Sequence, residues 1–421
     1  MSWRTFVVAA LCALGLIVAV PAAASAACTT TWNGPVTGGS WETAASWSTG
    51  ATPTATDEVC LPAGTEVTVS GSPSTARQIH GLGATLTVSG TLELADTAAV
   101  SRVGNVRLHG TVRGVGELRA VDGLAWSGGT LGGGVVLHAE STVNGTLDGG
   151  LLDGTTFRND GDIVQSNGTL TARNGALFHN TGTFVLNASR CWGCSWDPGV
   201  QWSPNGDAQP RLVNTGTIRK TTSGSATISL GLDNDGTVAV DQGELAFTRG
   251  ADGSVSQGDW TGAATGTAIL DGPLRLGSGV QVAGNLRIGW SGDVRIGDIH
   301  GANASLTVHG TLRLDPGDAS RVGTVTHTGT ITGAGTLRAA QRYDLGGGQL
   351  TAAAAVHVED TAAGTLTSGA FDGATLRNDG TLTLQGYTTV AGRNGAVIDN
   401  RGTFTLATTS CWGCSYQAGL V

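Results

Sequence analysis

Short runs of alternating apolar and polar residues recur along nearly the whole chain, most of them entered through a glycine. In Asn180-Thr181-Gly182-Thr183-Phe184-Val185-Leu186, Phe184 and Leu186 fall on one face of a strand, and Thr183 and Val185 on the other. The same alternation marks Thr217-Ile218, Thr237 to Val240, Thr381 to Leu384 and Thr403 to Leu406. It predicts that Phe184, Leu186, Leu382, Leu384, Phe404 and Leu406 point inward. The glycine predicts a corner with positive φ. The asparagine before it suits the same corner, and stacked copies of it predict a ladder of asparagines at the bend. No stretch carries a helical period with caps.

The unit Asn-x-Gly, often followed by Thr-apolar-x-apolar, returns every 20 to 22 residues. A period of that length is the mark of a solenoid, in which each coil buries its apolar face only against its neighbours. A longer repeat overlies the short one. Ile79-His80-Gly81 returns as Ile299-His300-Gly301, and Cys191-Trp192-Gly193-Cys194-Ser195 as Cys411-Trp412-Gly413-Cys414-Ser415, each 220 residues later. Between these markers Ser101-Arg102-Val103-Gly104 matches Ser320-Arg321-Val322-Gly323, and Arg158-Asn159-Asp160-Gly161 matches Arg377-Asn378-Asp379-Gly380. The pattern predicts an all-β, right-handed parallel β-helix, because parallel crossovers favour that hand. At ~4.8 Å per coil, about 16 coils after residue 72 make a rod on the order of 80 Å long. A sandwich of hairpins is the competing fold, since Asn-Gly also turns hairpins. One such signal per coil fits the solenoid better.

Residues 1–26 read as a secretory leader: Arg4, an apolar stretch from Phe6 to Val20, then Ala24-Ser25-Ala26 as a cleavage site. No later stretch is apolar enough to span a bilayer, so the mature chain is expected to have no transmembrane segment. Net charge is −9 with Lys220 the one lysine, and no basic run occurs, which argues against nucleic acid as a partner. Glycine reaches 68 of 421 residues without a three-residue period, which excludes collagen.

Residues 27–72 differ from the coils. Gly39-Ser40-Trp41, Ser46-Trp47-Ser48, Pro53, Asp57 and Gly64-Thr65-Glu66-Val67-Thr68-Val69 stand there with Trp32, Cys28 and Cys60. This segment resembles the N-terminal part of large secreted bacterial β-helix and adhesin-like surface proteins, where W-x5-W, a Pro and an Asp precede the first coil. The downstream Asn-x-Gly-Thr coils resemble autotransporter-passenger repeats. The resemblance implies a β-helix and a secreted or cell-surface location, and does not specify an activity. The organisation expected is a leader (1–26), a Trp/Cys cap (27–72), a first solenoid copy (73–294) and a second (295–421). The second copy stops inside the loop that follows Cys414, so the natural protein is expected to run on beyond Val421.

Six cysteines remain after the leader, an even number in an exported chain, and imply pairs 28–60, 191–194 and 411–414. Zinc shared by the two C-W-G-C motifs is opposed by their separation of about ten coils, on the order of 50 Å. A redox dithiol wants a helix N-terminus, and none is expected. A local disulfide pinning an excursion is the simpler reading. The excursion between Asn180 and Asn214 carries Trp192, Trp196 and Trp202, and its second copy carries Trp412. These four tryptophans are the candidate ligand-binding residues, able to stack on sugar rings. The competing reading is that they cover the loop's own apolar surface.

Asp148, Asp153, Asp160 and Asp162 form the densest acidic stretch, and Asp153 and Asp160 return as Asp372 and Asp379. Paired carboxylates suit a glycosidase. Their Asp-Gly and Asn-Asp-Gly settings suit turns equally well. Ranks of outward threonine, as on a crystal-binding face, are interrupted by Arg113, Arg219, Arg313 and Arg338. No cofactor or metal motif is present in the sequence. The sequence therefore points to a secreted or surface scaffold that contacts an extracellular glycan or surface polymer without catalysis. A polysaccharide-degrading β-helix enzyme is the alternative, to be recognised by three or more carboxylate or arginine side chains meeting in one groove.

Overall fold

The computed structural model describes residues 28–71, 73–188, 198–204, 208–386, 389–407 and 419–421. The leader, both C-W-G-C motifs, Trp192, Trp196 and Trp412 lie outside the described residues. The chain winds into an all-β parallel solenoid of about 17 turns. Among the described residues the only helix is the single 3₁₀ turn Ala44–Ser46.

Each coil has three strands, which stack on their counterparts in the coils before and after. The first face runs through Thr156–Asn159, Leu177–Asn180, Arg211–Asn214 and Gly231–Asn234. The second runs through Asp162–Gln165, Thr183–Leu186, Thr217–Lys220 and Thr237–Val240. The third runs through Gly150–Asp153, Thr169–Arg173 and Gly199–Trp202. Every paired set is parallel and in register, so the alternation read in one strand holds in the next. Phe157, Phe178, Phe184, Leu186, Ile218, Leu382 and Leu384 fill the interior. Phe157, Phe178 and Phe184 form a run of ring contacts, 5.0 Å between successive centroids.

Two inward positions depart from expectation. Phe404 is only partly buried against the core and Leu406 is 64% exposed. Their strand, Thr403–Ala407, stacks on Thr381–Gln385 and has no described strand on its other side. The apolar face is formed, but its cover is missing among the described residues.

The asparagine ladder is present and lies inside the coil. Asn159 Nδ2 donates to Asn180 Oδ1 at 2.7 Å, Asn180 to Asn214 at 2.7 Å, and Asn214 to Asn234 at 2.6 Å. All four are fully buried. In the second copy Asn378 donates to Asn400 at 2.7 Å. The glycine that follows two residues later does a different job from the one expected. Gly182, Gly216 and Gly236 do not have positive φ. A Cβ at Gly182 would meet the Gly161 carbonyl oxygen at 2.1 Å, and one at Gly216 would meet the Gly182 oxygen at the same distance. Close stacking of corners, rather than backbone handedness, demands glycine there.

The N-terminal segment closes the first coil. Trp32 and Trp41 pack edge-on against Trp47, with centroids 5.0 and 4.9 Å apart, and all three are buried. Cys28 is bonded to Cys60, across a separation of 32 residues. Glu42 clamps the segment to the coil by accepting from Ser40 Oγ, Gly71 N, Ser70 and Ser74 Oγ. Burial acts to raise its pKa, and those hydrogen bonds outweigh it, bringing the carboxyl down to about 2.

The two copies are not in phase around the rod. Leu232 on the first face pairs with Gly250, Gly250 N donates to Pro273 O, and Pro273–Leu276 leads on to Asp293–Ile296 and Thr311–Leu314. Ile299-His300-Gly301 instead follows Val280–Ala283, which continues the second face through Asp259–Gly262. The 220-residue offset is thus a whole number of coils plus one face. Segments of the first face in copy one reappear on the second face in copy two.

Candidate functional site

Stacking assembles charged columns that the linear sequence conceals. Outward residues His80, Arg102, Arg119, His138, Arg158 and His179 stand in register on successive coils. Copy two repeats the order as His300, Arg321, Arg338, His357 and Arg377. The sequence shows no basic run, yet the fold builds two basic columns from residues about one coil apart. Both are neutralised in place. Glu140 holds Arg102 at 2.7 Å, and Glu117 holds Arg119 at 2.9 Å and His138 Nδ1 at 3.0 Å. Glu359 holds Arg321 at 2.7 Å and Arg338 at 2.9 Å.

The acidic residues singled out from sequence are part of this lattice. Asp160 meets Arg158 at 2.9 Å and His138 Nε2 at 2.8 Å, and Asp379 meets Arg377 and His357 Nε2, each at 2.7 Å. The Arg377 bond, reinforced by His357 against desolvation, holds Asp379 down at about 2. Burial pushes Asp160 upward, but bonds from Arg158, Thr181 and His138 prevail and hold it well below the carboxylate range. Asp153 lies on Arg173 at 2.7 Å, Asp372 accepts from Asn394 at 2.5 Å, and Asp148 accepts from Asn167 N at 3.1 Å. Asp162 opens a second-face strand and is exposed. The recurrence of Asp160 as Asp379 carries the same Arg-Asp-His contact in each copy, which is a structural motif repeated with the fold.

Of the candidate tryptophans, Trp202 is described. It packs against the core, half-buried, with the Arg249 guanidinium 4.7 Å above its ring and its backbone N donating to Ser229 Oγ at 2.7 Å. Its face is already covered.

The tryptophan that the fold presents to solvent is a different one. Trp290 is 76% exposed, at the corner before Asp293–Ile296. Its ring stacks on His309 of the next coil, with centroids 4.6 Å apart and planes 15° off parallel. His309 Nδ1 lies 2.7 Å from Thr328 Oγ1 one coil further on, which fixes the imidazole. Burial, helped by the charge of Arg287, lowers the His309 pKa and so favours the neutral ring. Sequence reasoning passed over Trp290 because it sits in an ordinary glycine-rich corner. Comparing the copies marks it: residues 289–291 stand where copy one has Ser70 alone, and His309 stands where copy one has Ser89.

On the same face, Arg275, Arg295 and Arg313 are stacked in register. Arg295 Nε donates to Asp315, which also receives Arg275 Nη2 at 3.5 Å, and Arg313 is bidentate on Asp293. Arg295, Arg313 and Asp315 line a groove of about 380 Å³ closed by Leu314, Pro316 and Thr332. No helix among the described residues is long and apolar enough to cross a membrane. Comparison with known proteins finds no matching family model, curated relative or solved structure.

Proposed function

We propose that the chain is a secreted or cell-surface scaffold of the adhesin-like kind, which contacts extracellular glycans without cleaving them. The observation that carries the reading is Trp290, an exposed indole laid flat on a fixed imidazole at a corner of a rigid rod. A flat apolar ring held open to water is the surface on which a sugar ring's C–H face packs. The Cys28–Cys60 bond supports an oxidising, exported setting, as does the leader read from the sequence. The covered face of Trp202 leaves it as packing; Trp192, Trp196 and Trp412 remain candidates from sequence.

The degrading-enzyme alternative finds its three converging side chains in the Arg295, Arg313 and Asp315 groove. Glycoside hydrolysis needs one carboxyl group kept protonated as an acid beside a second, ionised one. Here Asp315 and Asp293 are both taken up in guanidinium pairs, so neither stands free beside a second carboxyl group. Asp160 and Asp379 are held ionised by their arginine and histidine partners. The arrangement supports binding over hydrolysis. The test is a glycan array probed with the purified chain, with release of new reducing ends followed on every glycan that binds. Binding without cleavage is expected. Absence of binding to any glycan, or turnover of a bound one, would overturn the reading.

A further inference from the structure

Arg275, Arg295 and Arg313 are like charges on directly adjacent strands, an arrangement that costs stability unless something offsets it. Two carboxylates serve the three guanidiniums. Arg313 is held on Asp293 through both Nε and Nη2, while Asp315 is shared between Arg275 and Arg295. Asp315 accepts from Arg295 through Nε, and Arg295 is one of the residues that line the groove. The Arg295 and Arg313 side chains are each about half exposed, at 49% and 52%.

The duplication supplies an internal control. The strands holding Arg295 and Arg313 correspond to those holding Thr75 and Glu93, and both pairs are in the same register. Asp315 corresponds to Ala95 and His309 to Ser89, while Trp290 lies in a corner two residues longer than its counterpart at Ser70. The same strands are therefore built in copy one with small, neutral or oppositely charged residues at the other four places. Coil formation does not require the tryptophan, the histidine or the arginines. They differ together, and the Trp290–His309 corner leads directly into the strands Asp293–Ile296 and Thr311–Leu314, which carry Arg295 and Arg313.

We propose that this face is a binding site for an anionic linear saccharide, with Trp290 stacked on one sugar ring and Arg295 and Arg313 receiving the carboxylate or sulfate of a ring further along. Guanidinium forks match planar carboxylates and the oxygens of sulfate, which a neutral sugar does not offer. Asp315 and Asp293 hold the forks in place and discourage loose binding of small anions. The site rests on the glycan-contact reading and adds the class of ligand to it.

The test is calorimetric titration of the purified chain with three hexasaccharides: one of uronic acids, the same one with its carboxyls reduced to alcohols, and a sulfated one. An anionic hexasaccharide is expected to bind at least about tenfold tighter than the neutral one. The variant R295T/R313Q is expected to erase that preference, bringing the anionic affinities to the level of the neutral one. The variant W290S/H309S is expected to weaken all three. The tighter of the two anionic probes identifies the acid group. Equal affinity for all three, or an anionic preference that survives R295T/R313Q, overturns the proposal while leaving glycan contact standing. No binding of any probe overturns this site, and the array then decides separately whether the chain contacts glycans at all. Unchanged melting of each variant excludes misfolding as the cause.

Discussion

His80 and His300 hold equivalent positions in the two copies, yet they stand on different faces of the rod. One duplication step advances the chain about ten coils, on the order of 50 Å, and turns it by a face. Equivalent charged columns therefore point in different directions. A duplication that is out of phase with the coil cannot build one long uniform face, but it lets the copies diverge where their surroundings differ. The corner at Trp290 leads into the first face just before the strands of the second copy continue along it, and it is two residues longer than the corner at Ser70.

Asn180 is the joint of the buried ladder, since it accepts from Asn159 and donates to Asn214. The substitution Asn180→Ala leaves a donor and an acceptor buried without partners. A loss of roughly 2–5 kcal/mol is expected. Chemical denaturation of the variant checks it, and a loss under 1 kcal/mol would mean that the ladder contributes little.

Lys220 is fully buried in the interior column between Leu186 and Val240. Burial lowers its amine to about 8, and Thr222 takes its protons through the backbone oxygen and Oγ1. Because the folded pKa lies below that of the unfolded chain, about 10.4, the unfolded state binds the proton more tightly. The penalty is absent above about 10.4, grows as pH falls from there to about 8, and is complete at neutral pH. Lys220→Met is expected to raise stability at pH 7 by roughly 1–3 kcal/mol and to gain little at pH 10. A destabilised variant at pH 7 would show that the Thr222 bonds outweigh desolvation.

His327 and Tyr343 form a buried pair, Nδ1 to hydroxyl at 3.2 Å, where copy one has Leu108 and Leu124. Burial brings His327 down to about 4, against backbone bonds that act upward. Unfolded histidine titrates near 6.5, so stability is full above that pH and falls as pH drops toward 4, by up to about 3 kcal/mol. The double variant H327L/Y343F is expected to flatten this window. Melting curves between pH 7 and 4 decide it, and an unchanged slope in the variant would assign the dependence to other groups.

The period and alternation were enough to read the coil, the parallel stacking and the inward set from Phe184 to Leu384. Asn159, Asn180, Asn214 and Asn234 were legible as a ladder because a fixed spacing places them one above another. Gly182 was legible as a corner but not as a contact, since its constraint comes from a neighbouring coil. The charged columns escaped notice for the same reason: Arg102 and Arg119 are strangers in sequence and neighbours in space. Trp290 was hidden because exposure belongs to the folded surface, and only the longer corner and the change of Ser89 to His309 betray it.

The most direct test of the account is titration of the purified chain and its Trp290→Ser variant with the tightest-binding glycan from the array. Trp290 is 76% exposed, so its replacement by serine is expected to shift stability by no more than about 0.5 kcal/mol. Affinity is expected to fall about tenfold or more, the loss of one stacked ring. Equal affinity for the two proteins, with unaltered melting, would contradict the central claim that this exposed indole is where the rod meets its glycan.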